Sequence, residues 1–101
     1  MRERDIEAKL TAGVKTLGGM CLKFVSPNVS GVPDRMIILP TGSVWFVELK
    51  APGKRERPLQ SYLHAKLRSM GVKVYSTVDS YEKVLDILLD CKREIESKKG
   101  L

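Results

Sequence analysis

Residues 31–50 read GVPDRMIILPTGSVWFVELK. Two apolar runs, RMIIL and VWFVELK, flank PTGS, whose proline and glycine favour a tight reversal, so the stretch predicts an antiparallel hairpin. Each run carries ionisable groups at one end: Asp34 and Arg35 open the first, and Glu48 and Lys50 close the second. Alternate side chains of a strand share a face, so Glu48 and Lys50 point one way and Leu49 the other. The hairpin also brings the start of the first strand beside the end of the second, which places Asp34 near Glu48 and Lys50. Burying a polar group without a partner costs roughly 2–7 kcal/mol. Charge at the ends of apolar strands therefore calls for compensation.

Working outward, Ile6, Leu10, Val14 and Leu17 recur at helical spacing, and Gly18-Gly19 stops that helix. MCLKFV (20–25) reads as a strand and SPNVSGVP as a turn-rich loop. Beyond the hairpin, the basic loop APGKRERP leads to Pro58, which suits a first helical turn, with Leu59, Leu63, Leu67 and Met70 as the expected buried stripe and Gly71 as the stop. VKVYSTV is a last strand. Asp79 or Ser80 caps a final helix, Glu82 is placed to close a capping box, and Tyr81, Leu85, Leu88 and Leu89 are expected to face inward. The polar tail from about residue 92 to 101 is expected to fray.

The order is αβββαβα. The strand–helix–strand crossover should be right-handed and make its two strands parallel. The earlier strands pair antiparallel, giving a mixed four-stranded sheet in an α/β fold of α+β type. Apolar residues on both faces of the hairpin strands predict helices covering both sides of the sheet.

At 101 residues the chain fits one domain, 1–101. Its 43% apolar and 30% charged residues mark a globular rather than a disordered composition. No apolar run approaches the ~20 residues of a membrane span, and the charged MRERDIEAKL start is not a signal peptide. Cys21 and Cys91 are far apart and lack metal-ligand spacing, which predicts thiols in a reducing cytoplasm. The net charge of +6 favours a polyanionic partner, nucleic acid first.

Two adjacent carboxylates, Asp34 and Glu48, raise each other's pKa unless a cation joins them. Lys50 supplies one positive charge. A hard divalent cation would supply more, since Mg²⁺ is typically held by one or two carboxylates with waters and phosphate oxygens. The competing reading is an ordinary salt bridge from Lys50 to either acid.

GVPDR, VELK and RPLQSYLHAKLRSMG together resemble the PD-(D/E)XK nucleases, and specifically the virus-type replication-repair nuclease (VRR-NUC) domain, from Glu7 to about Leu88. The resemblance implies a restriction-endonuclease-like αβββαβα core. It implies a Mg²⁺ or Mn²⁺ ion held by Asp34, Glu48 and the Leu49 carbonyl, with Lys50 orienting the attacking water. Glu7, on the flank of the first helix's stripe, matches an acidic residue completing the metal site, and Gln60 matches a glutamine near the active site. The implied activity is endonucleolytic hydrolysis of branched DNA to 5′-phosphate products, by a homodimer that resolves four-way junctions, with no organic cofactor. A viral origin would place it in the host cell cytoplasm.

Lys54, Arg55 and Arg57 form a candidate phosphate clamp beside this site. Arg35 divides between packing and phosphate contact, Trp45 and Phe46 belong to the core, and His64 reads as a solvent-side histidine. The alternatives are a monomeric flap or nicking enzyme, a non-catalytic basic nucleic-acid-binding module, and a restriction-type enzyme on linear duplex.

Overall fold

The computed structural model describes residues 1–99. Helix α1 (Glu3–Thr16) precedes strands β1 (Met20–Lys23), β2 (Arg35–Ile38) and β3 (Val44–Leu49). Helix α2 (Pro58–Ser69), strand β4 (Val74–Val78) and helix α3 (Tyr81–Lys99) follow. The sheet order is β1-β2-β3-β4. The two hairpin strands pair antiparallel, with Arg35 opposite Val47 and Ile37 opposite Trp45. β4 runs parallel to β3 across the α2 crossover, so the predicted mixed sheet is the one observed.

One sheet face carries Ile37, Trp45, Val47 and Leu49, buried against Ile6, Leu10 and Val14 of α1 and Val84, Ile87 and Cys91 of α3. On α3 the buried side chains are not the expected Tyr81, Leu85 and Leu89, of which Leu85 is 54% and Leu89 46% exposed. The helix is rotated so that 84, 87 and 91 form the stripe, another i, i+3, i+7 set that periodicity alone does not separate from its neighbour. Ser80 Oγ accepts the Lys83 N–H at 3.2 Å, which makes Ser80 the cap. The tail expected to fray from about residue 92 is helical through Lys99, and its last two residues lie outside the described ones.

The opposite face holds Glu48, and α2 packs there against β4. The helix buries Gln60 and His64, whereas Leu59 and Met70 of the expected stripe are exposed. The β1 end of this face stays open, with Met20, Leu22 and Val44 exposed. Helices therefore lie on both faces as expected, with the β1 edge of the α2 face left uncovered. The loop between β1 and β2 leans on α2: Gly31 has φ +87°, and a Cβ there would come within 3.1 Å of the Leu59 carbonyl oxygen.

β4 is irregular at one point. Val47 pairs with Tyr75, but Leu49 pairs with Val78, so β4 carries one extra residue there. Thr77 absorbs it at φ 52°, a rare conformation for a β-branched residue. Ser76 thus faces α2 with Glu48's side of the sheet, while Val78 returns to the core.

Candidate active site

The site forms where β3 ends. Glu48 is 5% exposed, on the α2 side of the sheet. Asp34, just before β2, is pinned to the same strand end: its Oδ1 accepts the Leu49 N–H at 3.0 Å. Its carbonyl accepts the Phe24 N–H at 2.9 Å. The Glu48 carboxyl is raised from the ordinary 4.5 to about 7, by burial first and then by the Asp34 charge, with Lys50 opposing and Glu3 and Glu56 adding smaller repulsions. The expected meeting of Asp34, Glu48 and Lys50 is what the hairpin produces.

Lys50 Nζ donates to Gln60 Oε1 at 2.9 Å, not to either acid. The same Gln60 oxygen accepts the Arg57 N–H at 2.9 Å, an N-terminal cap for α2. Gln60 is 4% exposed, so one buried amide ties the lysine to the start of α2.

Glu7 departs from expectation, and Arg35 takes the packing role, one of the two open to it. The Glu7 carboxylate is ion-paired with Arg35, whose guanidinium also lies 3.6 Å from Asp34 Oδ2 and donates to the Asp34 carbonyl at 2.9 Å. A buried guanidinium engaged with two acids is a brace between α1 and β2, not a free phosphate contact. Among the described residues, no group of three or more His, Cys, Asp or Glu side chains clusters as a metal cage. Of the α1 acids, it is Glu3 whose charge is felt at Glu48. Lys54, Arg55 and Arg57 are exposed beside the site, as a phosphate clamp requires.

His64 is a further correction. It is fully buried, because it follows Gln60 by one helical turn and so shares the face that meets the sheet. Its Nδ1 lies 2.7 Å from Ser76 Oγ and contacts the Glu56 carboxylate. Its Nε2 lies 3.9 Å from Glu48 Oε1. Burial lowers its pKa, opposed by the nearby Glu56 charge. Glu56, Ser76 and Glu3 went unremarked in the sequence. Glu56 stands alone as an acid in KRER, a signal that could have been noticed; the other two are placed by tertiary structure.

A mixed sheet with Asp34 and the Glu48-Leu49-Lys50 strand end meeting beside a helix-borne glutamine defines a nuclease of the PD-(D/E)XK class. No family model matches the chain. Over 74 residues it is 47% identical to the protein named "Putative nuclease p44" of Acyrthosiphon pisum secondary endosymbiont phage 1, spanning 73% of this chain and 80% of that one. A solved structure described as a VRR_NUC domain superposes with a TM-score of 0.76 at 31% identity, covering 87% of this chain and 94% of the other. The chain belongs to the VRR-NUC family.

Proposed function

We propose that this chain is a Mg²⁺- or Mn²⁺-dependent endonuclease that hydrolyses phosphodiester bonds in branched DNA as a homodimer. The observation that carries the proposal is the convergence of Asp34, Glu48, Lys50 and Gln60 at one strand end, beside the exposed basic loop 54–57. The residues fit a divalent cation. Glu48 is buried, and two neighbouring carboxylates already repel one another. Asp34, Glu48 and the Leu49 carbonyl would hold the ion, with Glu3 or Glu7 of α1 behind them. One or two carboxylates suffice for Mg²⁺.

When bound, such an ion supplies Lewis acidity to a phosphoryl oxygen and to the attacking water. The chain's own residues do the rest. Lys50, held by Gln60, places a fixed positive charge where negative charge grows on the phosphate. Lys54, Arg55 and Arg57 hold the DNA backbone, releasing counterions as they do so. A junction needs opposed nicks, and two-fold symmetry presents two identical sites. The phage relative fits work in a host cell's cytoplasm. Among the described residues no helix is long and apolar enough to cross a membrane.

The test is a cleavage panel of four-way junction, flap, duplex and single-stranded DNA, with Mg²⁺, Mn²⁺ or EDTA, alongside light scattering. Metal-dependent paired nicking of junctions by a dimer is expected. Cleavage of flaps by a monomer would replace the junction assignment, and DNA binding with no cleavage under any condition would leave a non-catalytic module.

A further inference from the structure

A chain of polar groups runs from the exposed Arg68 through half-buried Ser76 to the buried His64 beneath the site, and the proposed reaction uses none of the three. Arg68 donates through its NH2 group to Ser76 Oγ at 2.7 Å. That hydroxyl is 2.7 Å from His64 Nδ1. On the far side of the ring, Nε2 faces Glu48 Oε1 at 3.9 Å, and both of these atoms are buried without a hydrogen-bond partner. Two orphaned polar atoms that face each other in a dry interior are costly unless they engage.

Proton accounting bears on which way the ring points its donor. Ser76 Oγ accepts from a guanidinium, which has no lone pair to offer, so the serine's single proton is free for Nδ1. With Nδ1 accepting, the neutral ring carries its proton on Nε2, toward Glu48. A doubly protonated ring would aim Nδ1–H at Glu56 and still aim Nε2–H at Glu48. Each neutral tautomer sets one lone pair against an acid, Nδ1 against Glu56 or Nε2 against Glu48; the Ser76 hydroxyl, with a proton to give and a guanidinium already on it, favours Nδ1 as the acceptor. The 3.9 Å separation is about 1 Å longer than a hydrogen bond, a gap that a small rotation of either side chain closes.

We propose that His64 is a positioning residue, whose Nε2–H engages the buried oxygen of Glu48 and so fixes that carboxylate with Oε2 available to the divalent cation. This rests on the metal-site reading above and deepens it. His64 would act through Glu48 without touching substrate. Groups that orient a ligating side chain in this way typically alter metal affinity 10–100-fold when removed.

The experiment is calorimetric titration of the whole, metal-free chain with Mn²⁺ alone, without DNA. His64→Gln keeps an amide near the place of Nε2, while His64→Asn keeps one near Nδ1 and leaves nothing beside Glu48. Expected is Mn²⁺ affinity close to native for the glutamine variant and about 10–100-fold weaker for the asparagine variant. Ser76→Ala, a mild change on the far side of the ring, should weaken Mn²⁺ several-fold by freeing the tautomer. It keeps the test open should the asparagine variant fail to fold. Equal Mn²⁺ affinity for the asparagine and glutamine variants, or native affinity in Ser76→Ala, overturns the positioning role and leaves the nuclease reading standing. A native chain that takes up no Mn²⁺ overturns the metal site, and this role with it.

Discussion

Glu48→Gln should make the metal-free protein more stable at alkaline pH, although it removes a residue placed at the centre of the site. Glu48 holds its proton up to about pH 7 in the folded chain, against an ordinary 4.5. Below pH 4.5 the group is neutral in both states and costs nothing. Between 4.5 and about 7 the unfolded chain releases the proton and the folded chain keeps it, so stability falls as pH rises, by ~1.4 kcal/mol per pH. Above pH 7 the loss is complete, about 3 kcal/mol. That is a large share of the 5–15 kcal/mol typical of a domain. The isosteric amide never ionises and escapes the penalty. Urea denaturation in EDTA from pH 4 to 8.5 should therefore show the two proteins equally stable near pH 4 and the variant ahead by up to about 3 kcal/mol at pH 8. Saturating Mn²⁺ should then stabilise the native chain and not the variant. Parallel stability curves across the pH range would refute the reasoning, since they would mean Glu48 ionises as freely folded as unfolded.

Four further outcomes follow from the same geometry. Because the Glu48 carboxyl must shed its proton to meet a cation, Mn²⁺ affinity should climb from pH 5.5 and level off above about 7; a flat calorimetric profile would contradict this. Lys50→Ala should slow cleavage by about 10²–10³-fold with DNA affinity nearly unchanged, measured by single-turnover kinetics and by filter binding in EDTA. Lys54→Glu with Arg55→Glu should weaken binding to every DNA and reduce the log–log salt slope by about 2; an unchanged slope would move the clamp elsewhere. Gly31→Ala should cost about 1–2 kcal/mol in chemical denaturation, because its backbone is left-handed and the Leu59 carbonyl stands against the new methyl.

The hairpin was readable because its signals agree: alternation, a turn of proline and glycine, and charge only at the strand ends. That agreement was enough to bring Asp34 beside Glu48. The helices misled where two apolar faces compete. On α3 both Leu85/Leu89 and Ile87/Cys91 keep helical spacing, and packing against α1 decides between them. On α2 the fully buried residues are polar, Gln60 and His64, with Leu63 and Leu67 half-buried beside them and Leu59 and Met70 outside, so hydrophobicity caught only part of the face. β4 defeats strict alternation, because Thr77 adds a residue that no local pattern announces. Arg35 stayed divided between packing and phosphate contact because its partner Glu7 lies 28 residues away.

The Gln60 side-chain oxygen accepts both from Arg57, which caps the start of α2, and from Lys50. Helix nucleation and lysine alignment are thereby one degree of freedom: when the α2 terminus frays, Lys50 loses its anchor in the same event. Basic loop residues lie directly upstream, so DNA that orders the loop would also restrain the helix start. Amide exchange at Ser61, whose N–H is held by the Arg57 carbonyl at 3.0 Å, becomes a local clock for how often the site is armed. Slowing of that one amide on adding DNA, before any bond is cut, would register readiness directly.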